Sequence, residues 1–351
     1  MRIRKTGIVL AAFLLLAAGC GKGNPEQYEA GVKALESGDY AGARTNFEAC
    51  IADKQSLAQA YRGAGIACLK QGDSAQAEEY FKQALQELGD KNSSTRRDIL
   101  FYLAQAQTGQ GKTEDAKASY DEILSDGDNA QAYMLKGRLL LLSGDEAQAQ
   151  ECFDLAVKDC TDYDIYIDIF ETYNDVKRNA DGTKYLEKAL EIEQGTAQDN
   201  YEHGRVYYYL GDYENAREYL SQAVSDGSKD AMLILGRVYL ELDDAASARA
   251  MYKNYLTDEE RAAAAYNGLA ICDLEEGAYD SALENISQGL ACRNITEEER
   301  QLLLFNEIAA YEYKGDFSTA QTKAAEYVEE YPGDEQAVRE YTFLQSRQQN
   351  Q

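Results

Sequence analysis

The sequence predicts an all-α fold, a solenoid of about nine helical hairpins closed by a C-terminal helix, and three observations point there. One element returns nine times along the 351 residues at close to 34-residue spacing; its clearest copies run from Gly72 to Leu85 and from Gly144 to Val157. Within a copy, a turn glycine is followed five positions on by a small residue and four beyond that by an aromatic, as in Gly72, Ala77 and Phe81. Proline occurs only at Pro25 and Pro332, the two ends of the array. Repeats of this period are helical hairpins, and because each contacts only its neighbours the chain escapes the size limit of a single core.

The first element is not part of the array. Met1 to Lys5 is basic, Ile8 to Ala18 is an apolar run of eleven residues, and Leu16-Ala17-Ala18-Gly19-Cys20 follows. The run is too short to span a bilayer and has the order of a secretion signal. The end of the run resembles a bacterial lipobox, with Ala17 where leucine is usual. The resemblance implies a signal peptide over residues 1–19 and lipidation at Cys20, with acyl chains anchoring the chain to the outer side of the cell membrane, or to an outer membrane if the cell has one. Residues 20–23 would then form the tether. At about 3.5 Å per extended residue they hold the first helix, opened by Asn24-Pro25, on the order of 15 Å from the membrane.

Counted from their first positions, the copies begin at Asn24, Ala58, Arg97, Ala130, Tyr163, Ala197, Lys229, Ala263 and Gln301. Position 8 is Gly31, Gly65, Ala104, Gly137, Gly204, Gly236 and Ala270 in seven copies, and position 20 is alanine in eight. Position 24 offers Phe47, Phe81, Tyr120, Phe153 and Tyr252. Small residues let two helices approach while bulky ones interlock between them. The glycine at position 15 suits a left-handed helix C-cap, and in five copies an aspartate follows to open the next helix. This register resembles the tetratricopeptide-repeat family over residues 24–334.

Repeat 5 departs from the pattern. Phe170 stands at position 8, Lys177 at the turn and Gly182 at position 20, which predicts a soft joint. Two junctions exceed the period, Leu88 to Arg96 and Ala291 to Glu298, and read as loops. Residues 335–351 read as a capping helix and tail, with Ala337, Val338, Tyr341 and Leu344 inward and a polar outer face.

The balance of 35 basic against 62 acidic residues gives a net charge of −27, which repels nucleic acid. No metal-ligand set, catalytic constellation or small-molecule cofactor motif is present, so no enzyme is expected. Ala106 to Thr113 ends like a phosphate-binding loop, but it lacks the first glycine and falls on a helix–helix turn, where the motif needs a strand. His203, the single histidine, takes a packing position. Of the six cysteines besides Cys20, Cys50 and Cys68 adjoin in the register and could bridge; buried free thiols are the expectation. Cys152 and Cys160 are eight apart on one predicted helix, too far to bond.

The resemblance also implies a concave groove lined by helix A positions 2, 5, 9, 12 and 13. Its candidate residues are Phe101, Met134, Arg138, Leu141, Tyr201, Arg205, Tyr208, Leu233, Arg237 and Leu240. They describe an apolar, aromatic surface carrying three arginines, suited to a protein or peptide partner. Pairing of those arginines with nearby carboxylates such as Glu171 is the structural alternative. The functional expectation is a membrane-anchored extracytoplasmic adaptor for envelope assembly or secretion, the alternative a chaperone-like capture protein for unfolded exported segments.

Overall fold

Each hairpin turns on one left-handed residue. Gly38, Gly72, Gly111, Gly144, Gly211, Gly277 and Gly315 have φ between 72° and 90°, where a residue without Cβ is unstrained. Around Gly72 the closure is the Schellman pair: Asp73 N–H donates to Cys68 O at 2.9 Å and Gly72 N–H to Leu69 O at 3.0 Å. Asp39, Asp73, Asp145, Asp212 and Asp316 then cap the next helix, each carboxylate accepting the N–H three residues on. Repeats 5 and 7 make the same turn without glycine. Lys177 and Asp243 sit at φ 61° and 56°, and Arg178 N–H still reaches Tyr173 O at 2.9 Å.

The computed structural model describes residues 25–54, 56–89, 93–193, 196, 198–256 and 262–348. The segments expected as signal peptide and tether, with Cys20, lie outside the described residues. Those described form nineteen α-helices and no strand, and none of the helices is long and apolar enough to cross a membrane. They divide into two compact units, one reaching to Tyr185 and one beginning at Leu186.

The first unit holds the hairpins α1 (Pro25–Glu36) and α2 (Tyr40–Ala52), α3 (Leu57–Lys70) and α4 (Ser74–Leu88), α5 (Ser93–Gly109) and α6 (Thr113–Ser125), and α7 (Ala130–Leu142) and α8 (Glu146–Ala156). Then come α9 (Tyr163–Asp175) and α10 (Asn179–Ala189), which carries the division. The second unit holds α11 (Gln198–Leu210) and α12 (Tyr213–Ser225), α13 (Lys229–Glu241) and α14 (Ala245–Tyr255), α15 (Ala262–Glu275) and α16 (Tyr279–Leu290), and α17 (Glu297–Lys314) and α18 (Phe317–Glu330). It ends in α19 (Glu335–Gln348).

The packing rule read from the sequence holds atom by atom. All eight alanines at position 20, from Ala43 to Ala320, are fully buried. Opposite them a Cβ on Gly31, Gly65, Gly137 or Gly236 would come within 2.9 Å of the ring at position 24 of its own repeat. Gly63 and Gly268, from the following repeats, press on Phe47 and Tyr252 in turn. The Phe47 and Tyr252 rings are thus gripped from two repeats, and burying such a ring contributes on the order of 2–3 kcal/mol.

Three expectations change, and the irregular pair of repeat 5 proves to be matched. The long junctions before repeats 3 and 9 are loops only in part: α5 starts at Ser93 and α17 at Glu297, giving helices of 17 and 18 residues, while Ala291 to Thr296 stays outside any helix. Added chain that can continue a helix satisfies its own backbone groups. Cys160 is not on a helix with Cys152, because α8 ends at Ala156; all six cysteines of the array are free thiols. In repeat 5 the two irregular residues fit each other, since a Cβ on Gly182 would lie 3.1 Å from Cα of Phe170. Large and small have exchanged sides. Last, Val338 and Phe343 on the outer face of α19 are 36 % and 51 % exposed, so that face is not wholly polar.

Candidate functional site

Within each unit the first helix of a repeat touches the first helix of the next: α1 meets α3, α7 meets α9, α11 meets α13, α13 meets α15 and α15 meets α17. These helices form an inner row, and the candidate groove residues belong to it. Four lie in the first unit and six in the second, and each set is described by itself.

In the first unit three of the four candidates are covered. Phe101, Met134 and Leu141 are 6 %, 3 % and 5 % exposed, so they pack inside the protein and offer no contact surface. Register places a side chain on the inner face of its helix, but neighbouring elements decide its depth. Arg138 is half-buried, with Asp175 at 3.7 Å. The pairing alternative holds at this position, with Asp175 as the carboxylate.

The second unit is open. Tyr201, Tyr208, Leu233 and Leu240 are half-buried, an apolar strip that α11 and α13 present side by side. Arg205 is held at 2.7 Å from Glu202 and lies 5.5 Å from the centre of the Tyr201 ring. Arg237 is exposed and has no ion-pair partner among the described residues. It stands close enough to Tyr252 for its charge to oppose the upward push that burial gives that phenol. The strip continues through half-buried Ile271, Leu274 and Phe305, and the Asn306 amide donates to Asn267 Oδ1 at 2.7 Å. Acids edge it: Glu275 is raised by burial and then by Asp243, Glu241 and Glu276. The chemistry of this surface suits an extended or helical peptide, with the Arg237 guanidinium donating to an acidic group or a backbone carbonyl.

Other motifs have structural roles. Lys112, at the end of the phosphate-loop-like segment, donates to Glu78 Oε2 at 2.6 Å. Glu78 is 1 % exposed and also receives Lys82 at 2.8 Å. His203 is half-buried, 3.0 Å from Ile192 O and edge-on to Tyr219. A depression of about 260 Å³ beside α8 and α10 is lined by Glu146, Tyr173, Arg178, Asp181 and Lys184. There Arg178 is already paired, to Glu146 at 2.5 Å and Asp181 at 2.7 Å.

Sequence reasoning missed one acidic pair. Glu312 on α17 is pushed up to about 7, first by burial and then by its hydrogen bond with Glu340 of α19 and that group's charge, with Arg347 opposing. Position 12, apolar in most repeats but glutamate in the last, was the signal available.

Models of the tetratricopeptide repeat match residues 28–92, 69–139, 130–158, 201–250 and 235–291. No protein of curated function matches the sequence. Among solved structures, the chain is similar to the human IFIT1 dimer with m7Gppp-AAAA, at 16 % identity over 92 % of this chain and 81 % of that one, with a TM-score of 0.52. It is also similar to a tetratricopeptide repeat protein from Parabacteroides merdae (17 % identity, 71 % and 98 % covered, TM-score 0.45) and to yeast Tom70 (12 %, 93 % and 96 %, 0.41). At such identities the likeness is one of fold. The matched repeats, the left-handed turns and the glycine–aromatic packing agree, and the chain belongs to the tetratricopeptide-repeat family.

Proposed function

We propose that this chain is a membrane-anchored, extracytoplasmic adaptor that holds a protein or peptide partner on the inner row of its second unit, in the service of envelope assembly or secretion. The observation that carries the binding half is the open strip of Tyr201, Tyr208, Leu233 and Leu240 beside exposed Arg237. Solenoids of this family are typically scaffolds, and no catalytic step is proposed. The anchoring half rests on the order of basic, apolar and small residues ending at Cys20. The human IFIT1 dimer is solved with m7Gppp-AAAA; a net charge of −27 opposes phosphate binding here, and a protein or peptide is the partner proposed.

Crosslinking in the native envelope, followed by mass spectrometry, identifies the partner. Arg237→Glu should then weaken its binding, by about 2–5 kcal/mol if the arginine meets a buried acidic group. Lys253→Glu, an exposed charge on α14, should leave binding unchanged. Equal binding by wild type and Arg237→Glu would move the site elsewhere. One saturable partner supports the adaptor, whereas low-affinity binding of many unfolded chains supports the capture reading. Cys20→Ala tests the anchor: it should abolish acyl attachment, and a wild-type chain found without acyl groups overturns that half.

A further inference from the structure

The inner face of α19 is spoken for: Ala337 and Leu344, each 1 % exposed, pack with Ala324 and Tyr327 of α18. Asp334 fixes its start, accepting the Tyr327 hydroxyl at 2.8 Å and the N–H groups of Gln336 and Ala337 at 3.0 and 3.1 Å. The outer face carries Val338 and Phe343 into solvent. It also carries a row at four-residue spacing, Glu335, Arg339, Phe343 and Arg347, which places all four on one stripe of the helix. Glu335 and Arg339 are 3.6 Å apart and both largely exposed. Arg347 has no carboxylate within ion-pair distance among the described residues; its guanidinium lies 3.9 Å from the Phe317 ring centre and 5.8 Å from that of Phe343.

We propose that this outer face docks, antiparallel, on the same face of a second copy of the chain. The stripe is complementary to its own reverse. Glu335 and Arg347 are placed symmetrically about residue 341, and so are Arg339 and Phe343. One two-fold axis at that level sets Glu335 of each copy against Arg347 of the other, and Arg339 against the Phe343 ring. Both contacts occur twice, as an isologous interface requires. The first is an ion pair and the second a cation–π contact.

Charge selects the second copy as the occupant. The chain carries −27, so two molecules repel over most of their surface. The α19 segment holds two acids, Glu335 and Glu340, and two bases, Arg339 and Arg347, and is neutral. It is a place where two such molecules meet without local repulsion, and added salt that screens the rest should favour the meeting. A single helix pair buries less than the roughly 1,200 Å² of a standard interface, so the association is weak and reversible.

Sedimentation equilibrium of the purified chain across a concentration series tests the proposal, with helicity of every variant checked by circular dichroism. A monomer–dimer equilibrium is expected. Phe343→Ser, at an exposed position, should abolish it. Glu335→Arg alone or Arg347→Glu alone should weaken it roughly tenfold. The two together should restore it, because both reciprocal pairs are reversed at once; a face built for a different protein would give no such rescue. A chain that stays monomeric, a dimer that survives Phe343→Ser, or a double swap that fails to restore association overturns the proposal.

Discussion

A Cβ placed on Gly65 would lie 2.6 Å from Cε1 of Phe81, so the ring from one helix fills the space that the other leaves empty. Phe81 is fully buried and has nowhere to retreat. Gly65→Ala should therefore destabilise the first unit by about 1–3 kcal/mol in urea unfolding, although alanine in a helix interior is ordinarily favoured over glycine by about 1 kcal/mol. Adding Phe81→Ile reproduces the pairing of Ala270 with Ile286 in repeat 8 and should recover part of the loss. A neutral or stabilising Gly65→Ala would show that the hairpin opens without strain.

Lys177 and Asp243 hold left-handed turns that seven other repeats give to glycine. Each carries a Cβ where that conformation is unfavourable by about 1–2 kcal/mol. Lys177→Gly and Asp243→Gly should each stabilise the protein, by about 0.5–1 kcal/mol after the larger entropy of an unfolded glycine is counted. The mirror change Gly72→Ala should destabilise it by a similar amount. Thermal unfolding of the three variants decides the matter.

Burial raises the Glu78 carboxyl, but hydrogen bonds from Lys112, Lys82 and Gln110 outweigh it and hold the group down to about 2. A depressed folded-state value means stability that is complete above the ordinary 4.5 and is lost as pH falls toward 2. Lys112→Ala removes one of three partners and should destabilise the protein by about 1–2 kcal/mol near neutral pH. The loss should shrink as acid protonates Glu78. ATP hydrolysis abolished by Lys112→Ala would contradict this structural role.

The Glu312–Glu340 contact works with the opposite sign. Because the folded value is raised from 4.5 to about 7, the folded chain holds its proton more tightly than the unfolded one. Its contribution is therefore complete below pH 4.5 and lost as pH rises through about 7. Amide exchange in α19 should quicken over that interval relative to α11, after correction for intrinsic rates. Glu312→Gln keeps a neutral hydrogen-bonding group and should flatten the dependence; solvent screening of this half-buried site limits the gain above pH 7 to on the order of 1 kcal/mol. A variant with the wild-type pH profile would place the titration elsewhere.

The sequence by itself determined the fold class, the hairpin turns, the aspartate caps and the positions 8, 20 and 24 that interlock. These are backbone and steric requirements met within one repeat, and few residue types satisfy them, so their period is visible without any partner. Even there, Phe170 and Gly182 read as two faults until the structure showed them facing each other, as a volume exchange must. The candidate groove was legible only as a register. Tertiary packing decided that Phe101, Met134 and Leu141 are covered, that Arg138 has Asp175 beside it, and that Arg237 stands in solvent. It also brought Lys112 to Glu78, 34 residues away, and Glu340 to Glu312. Periodicity fixes the face a side chain occupies, whereas depth and charge pairing depend on side chains that neighbouring helices bring from distant sequence positions.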